Sequence, residues 1–131
     1  MSLSVESAVS TLRDLGVVIK MSKTGNVLVV DFRPVATLIE DEHVKYVKGF
    51  NRLREIHLES AAVTDASLKN LIEKDCLTTI DLQNTRVTDN GIASLLGLPA
   101  LKLLLLTGSC VTGDGVKQFR KSMLKTRIVF L

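Results

Sequence analysis

A spacing of 24 residues governs this chain. Leu53, Leu77 and Leu101 lie one period apart, as do Ile56, Ile80 and Leu104, and Leu58, Leu82 and Leu106. The second half of the period keeps the same register through Val63, Val87 and Val111, Thr64, Thr88 and Thr112, Leu68, Ile92 and Val116, and Leu71, Leu95 and Phe119. Within one period the apolar spacing changes. Leu77, Ile80 and Leu82 are separated by three and two residues, as in a short strand, whereas Ile92, Leu95 and Leu98 are three apart, as on a helix. Each unit is therefore a strand followed by a helix, both facing one core. A unit this small cannot bury its apolar face alone, so neighbouring units must stack.

A period of this length headed by L-x-x-L-x-L is the signature of a leucine-rich repeat. Side chains alternate along a strand, which turns Ile80 and Leu82 inward and Thr79, Asp81 and Gln83 outward. Strands stack ~4.8 Å apart while helices need ~8 to 10 Å, so the stack must bend with its sheet on the inside. The expected fold class is α/β: a leucine-rich repeat solenoid, with a curved parallel sheet of about five repeat strands and helices on the convex side. Thr37, Ala61, Thr85 and Ser109 occupy the place where such repeats often carry Asn. A hydroxyl there can bond the backbone where the strand turns away, and Ala61 cannot.

The ends depart from the period. Ser4 to Leu15 places Val5, Ala8, Val9, Leu12 and Leu15 at helical spacing, and Gly16 follows where a helix ends in a left-handed residue. Val17 to Met21 and Val27 to Phe32 are β-rich and flank a turn at Ser22 to Asn26, which reads as a hairpin. Helix and first strand form a cap over the core of the first repeat. The first strand is offset from the next by 26 residues, so two extra residues must lie between Phe32 and Thr37. Lys125, Ile128 and Phe130 continue the strand columns at the other end. The expected organisation is a single domain with a cap at 1–26, repeats at 27–52, 53–76, 77–100 and 101–124, and a terminal strand at 125–131.

The tripeptide V-T-D recurs at Val63 to Asp65 and Val87 to Asp89. Thr is a good helix N-cap, and Asp in the first turn faces the positive end of the helix dipole. The third copy reads Thr112, Gly113, Asp114, which a cap tolerates and a row of metal ligands would not. The run Leu77 to Leu98, containing T-R-V-T-D-N-G-I-A-S-L-L-G-L, resembles the T-x-I-T-D-x-G-L-x-x-L-x-x-L repeats of bacterial leucine-rich repeat proteins of the planctomycete type. Gly91 matches that pattern and Ser67 departs from it. The resemblance implies a protein-binding solenoid and brings no shared catalytic residues.

Composition and chemistry agree with a non-catalytic reading. The chain is 46% apolar with no Trp, one Tyr and four Phe, which describes an aliphatic core. Its longest apolar runs fall far short of the ~20 residues that cross a bilayer. Residues 1–10 lack the basic start and apolar stretch of a signal peptide. A cytoplasmic setting is expected, with export of a longer precursor left open. Cys76 and Cys110 fall on opposite rims of the sheet in the repeat frame and are expected as free thiols. His43 falls on the helical side and His57 on the outer face of the sheet, with no placed nucleophile or metal-ligand spacing around either. No cofactor is expected.

The outward columns supply the candidate partner surface: Arg33, then Glu55, His57 and Glu59, then Asp81 and Gln83, then Leu103 and Leu105, then Val129 and Leu131. The expected function is a protein–protein interaction module presenting that concave sheet. The alternative is a structural subunit that self-associates, for example as a homodimer, or assembles into a larger complex, through its apolar C-terminal strand. An enzyme using Cys110 or His57 is the less favoured third reading. Six basic residues from Lys102 onward face one acid, Asp114. No aromatic residues interleave them, so nucleic acid is not expected as a partner, and neither is a membrane.

Overall fold

A computed structural model describes residues 4–131. Met1 to Leu3, the head of the expected cap and of the segment read for a signal peptide, lie outside the described residues. The chain forms one six-stranded sheet in sequence order: β1 (Val18–Met21), β2 (Val27–Asp31), β3 (Glu55–His57), β4 (Thr79–Asp81), β5 (Leu103–Leu105) and β6 (Arg127–Val129). β1 runs antiparallel to β2, and every later pair is parallel. Val30, Ile56, Ile80, Leu104 and Ile128 are mutual partners across the five parallel strands, which is the 24-residue register seen from the side. The architecture is an α/β leucine-rich repeat solenoid.

The core is a single aliphatic column. Leu53, Ile56, Leu58, Val63, Leu68 and Leu71 of one repeat stack on their counterparts in the next, and all are buried. Ahead of them lies α1 (Val5–Leu15), which buries Ala8, Val9 and Leu12 and packs on β1 and the turn at Lys45–Gly49. Ser4 caps it by accepting from the Ser7 N–H, and Gly16 ends it at φ 100°. The Gly16 and Val17 N–H groups return to Arg13 and Leu12 carbonyls, both at 3.0 Å. The extra residues after β2 are absorbed by a 3₁₀ segment, Arg33–Leu38. That segment leaves Thr37 exposed, and Ala61 has no hydroxyl, so the expected column of short hydroxyls begins two rungs later, where Thr85 Oγ1 donates to the Leu82 carbonyl at 2.7 Å.

The convex side differs from expectation in its length of helix. α2 (Asp41–Val44), α3 (Asp65–Leu68) and α4 (Asp89–Ala93) are single turns, and only α5 (Gly113–Ser122) runs for ten residues. Beyond α4 the chain continues with bonds of 3₁₀ type, Leu95 N–H to Ile92, Leu96 to Ala93 and Leu98 to Leu95. A 3₁₀ segment rises ~2.0 Å per residue against 1.5 Å in an α-helix, so a short repeat regains the next strand with fewer residues. Spacing of three, which fits either helix type, did not separate them.

Acidic residues tie the rungs together. Asp41 accepts from Thr64 N–H at 2.8 Å and Thr64 Oγ1 at 2.7 Å, Asp65 from Thr88 N–H at 2.7 Å and Oγ1 at 2.5 Å, and Asp89 from Thr112 N–H at 2.8 Å and Oγ1 at 2.6 Å. The V-T-D repeat is therefore an inter-repeat ladder as well as a cap. Thr64 and Thr112 still accept from Ala66 and Gly115 N–H groups, whereas Thr88 makes no side-chain cap bond. The residue after Thr112 is Gly113, so the ladder stops at that rung.

Candidate protein-binding face

Parallel registration lays the outward side chains in rows across the sheet. Asp31, His57, Asp81, Leu105 and Val129 form one row, and Val29, Glu55, Thr79, Leu103 and Arg127 the next. Charged groups predominate from β2 to β4, with Val29 and Thr79 among them, and aliphatic groups in β5 and β6 apart from Arg127. Alternation explains why these side chains share a face. Nothing in the repeat dictates what they are, because the core sees only the other face.

In the charged half most ions are already paired. Arg33 is held bidentate by Asp31, with Nε to Oδ1 at 2.9 Å and Nη2 to Oδ2 at 2.8 Å. That pairing holds the Asp31 carboxyl below its usual range and raises Arg33. His57 lies between two carboxylates, Nδ1 3.5 Å from Asp81 and Nε2 3.2 Å from Glu55. The Asp81 bond raises the imidazole pKa, with Glu55 adding to it, against the opposing effect of burial. Asp81 has the reverse balance: burial pushes it up, but His57 and the Gln83 backbone and side-chain amides together bring it below its usual value.

Asp81 corrects the sequence reading. It points to the outer face as expected, yet it is only 1% exposed. Its flanking outward neighbours, His57 and Gln83, close over it, and Oδ1 accepts from both the Gln83 N–H and Nε2 at 3.1 Å. It is bonded to His57 and Gln83 and presents little surface of its own. His57, with both ring nitrogens at carboxylates, is half-buried rather than a free surface imidazole. Glu55, Glu59 and Gln83 are half-buried and Arg33 is exposed.

In the apolar half Leu103, Leu105 and Val129 are half-buried by their neighbours, while Leu131 is 96% exposed. Leu131 N–H reaches Thr107 Oγ1 at 3.2 Å, which extends the β5 to β6 register by one more bond. Among the described residues no strand pairs with the outer edge of β6. Cys110 is exposed beyond the turn after β5 and Cys76 is half-buried, and both thiols are free. Both ring nitrogens of His57 are engaged by carboxylates, Asp81 and Glu55, and the exposed Cys110 thiol is not one of its partners.

Two features escaped the sequence reading. The Asp ladder joins Asp at 41, 65 and 89 to the Thr 23 residues later, a spacing that the cap reading also produces. Ser60, Asn84 and Gly108 form a column of positive φ, 66°, 55° and 77°, where each strand turns off the sheet. Asn and Gly in that column were the available signal.

No protein-family model matches the chain, and no curated protein matches it. Among solved structures, the actin-binding site 2 of leiomodin-1 aligns with all of this chain and 81% of its own, at a TM-score of 0.66 and 11% identity. A Leptospira interrogans leucine-rich repeat protein aligns with 66% of this chain and 27% of its own, at a TM-score of 0.47 and 20% identity. The first of these likenesses is one of fold. No helix among the described residues is long and apolar enough to cross a membrane.

Proposed function

We propose that the chain is a non-catalytic interaction module that offers the outer face of its sheet to a protein partner. One observation carries the reading: a paired, partly buried ionic half adjoins an aliphatic half on a single face. Fixed charges supply orientation and aliphatic surface supplies affinity, a division common to protein interfaces. Glu55, His57, Glu59, Gln83, Leu103, Leu105, Val129 and Leu131 are the contact residues, Arg33 borders them, and Asp81 holds two of them in place. The motif T-R-V-T-D-N-G-I supports a bacterial origin, and two free thiols support a reducing compartment such as the cytoplasm.

Affinity capture with wild type, Leu105→Glu and a convex-side control, Lys117→Glu, tests the reading. A partner retained by wild type and the control but lost with Leu105→Glu supports it. Undiminished capture by Leu105→Glu overturns it.

A second reading has its own observation, the unpaired edge of β6 beside the exposed Leu131. An open edge with apolar surface favours strand pairing, here with a second copy of the chain. Light scattering over a concentration series would show dimers that Val129→Lys abolishes. A monomer at every concentration rejects self-association.

A further inference from the structure

Lys74 is out of place in the repeat. The same position one period earlier is Phe50 and one period later Leu98, both buried, so the fold asks for an apolar side chain there. Lys74 is nevertheless only 4% exposed. Its ammonium has three donors, and one is used: Nζ donates to the Lys48 carbonyl at 2.9 Å. Among the described residues it has no second acceptor and no ion pair, although Glu73 is adjacent in sequence. A buried cation satisfied once is costly, and natural folds rarely keep one without a use.

The same lysine lines a hollow of about 250 Å³ between the first and second repeats, on the side away from the proposed partner face. Lys48, Lys69, Asn51 and Asn70 share its wall. Three cationic side chains and two amides face one acid, Glu73, in a space large enough for a small polyatomic ion. Burial also pushes the Lys74 pKa down to about 8, outweighing the attraction of Glu73, which forms no ion pair with it. An anion in the hollow would take the two idle donors and complete the charge compensation that Glu73 alone leaves short.

We propose that the hollow at Lys48, Lys69 and Lys74 is a binding site for a phosphoryl dianion, with Lys74 as its buried anchor. Charge-assisted bonds from Lys74 Nζ and the lysines at the mouth bind the oxygens, and the asparagine amides set orientation.

The full chain is titrated with inorganic phosphate and with a small phosphate monoester, against chloride of equal ionic strength. Melting temperature and the Lys74 Nζ titration by NMR are the readouts. Wild type should melt higher with either phosphate but not with chloride, and the Lys74 midpoint should move up from about 8. Stronger protection by the monoester identifies an esterified group as the natural source, and equal protection free phosphate. Lys74→Met, which restores the apolar column, should fold and bind on the order of tenfold or more weakly. Lys69→Gln leaves the core untouched and should weaken binding as well. A chloride response equal to that of phosphate, a Lys74 midpoint that stays put, or a wild-type response in either variant overturns the site.

Discussion

At the scale of single residues, two titrating groups oppose each other. His57 has a folded pKa raised above 6.5 by Asp81 and Glu55. Its contribution is complete below the unfolded value and is lost as pH rises through the folded one. Lys74 has the opposite sign: between about 8 and 10.5 the unfolded chain keeps a proton that the folded chain has released, so stability rises with pH. Stability should therefore dip near neutrality and recover above pH 8, with a slope of at most about 1.4 kcal/mol per unit from each group. Urea melts across pH 6 to 10 measure this, and in Lys74→Met the alkaline rise should vanish while stability near pH 7 gains on the order of 1 kcal/mol. Gln83→Asp makes a second test. Alternation alone makes it nearly silent, because position 83 faces away from the core, but here it sets a second carboxylate against buried Asp81 and removes an amide donor. A loss of about 1 to 3 kcal/mol is expected, largest above pH 5, and a wild-type melting curve would contradict it. Both effects were hidden in the sequence for one reason. A repeat frame assigns faces, but whether a neighbour closes over a polar side chain depends on side-chain reach, which periodicity does not encode.

At the scale of elements, the Asp ladder fixes how closely rungs pack. Each carboxylate occupies the space beside a small residue of the next turn. A Cβ on Gly91 would overlap the Asp65 carboxylate, and one on Gly115 that of Asp89. In the first rung the small residue is Ser67, whose hydroxyl donates to Asp41 at 2.6 Å. The departure of Ser67 from the glycine pattern is thus a substitution that adds a bond, and with the Thr64 bonds it holds Asp41 below its usual pKa despite burial. Asp65→Ala should cost about 2 kcal/mol by removing two charge-assisted bonds. Gly91→Ala should also destabilise the wild type, although alanine is the better helix former. In the Asp65→Ala background the carboxylate overlap is gone and only a tight contact with Val87 Cγ1 at 3.0 Å remains, so Gly91→Ala should cost much less there, and a double-mutant cycle reads the coupling directly. Additive losses would show that the two residues do not share the space. Thr and Asp were visible in sequence as a cap, and their bonds across the rung were not, since both readings place the same residues in the same columns.

At the scale of the whole molecule, the aliphatic columns were legible except where Lys74 and Lys125 stand in them. Ile80, Leu82 and Leu104 are completely buried, as L-x-x-L-x-L required. Leu82→Asp, with no partner for its charge, should abolish cooperative melting. The convex side was less legible because spacing of three suits α and 3₁₀ turns alike. A stack of identical rungs has two open ends, and the first is closed by α1 and β1. Ala8, Val9 and Leu12 lie buried on that end, and Gly16 turns the chain at positive φ with Val35 Cγ1 only 2.8 Å from where a Cβ would sit. Each of the larger apolar side chains is worth ~1.5 to 3 kcal/mol on burial, an upper estimate, against a total near 5 to 15 kcal/mol. Deleting residues 1–15 should therefore remove a large share of the stability and uncover the core side of β1 and of the Lys45–Gly49 segment, where Ile19 and Val47 are buried and on which α1 packs. Gly16→Ala offers a graded version, because it keeps the apolar cap and strains only its exit by about 1 kcal/mol or more. Thermal melts with light scattering should show a modest loss for Gly16→Ala and aggregation for the deletion. An unchanged melting temperature and monomeric scattering for the shortened chain would mean that the stack holds its first rung without a cap.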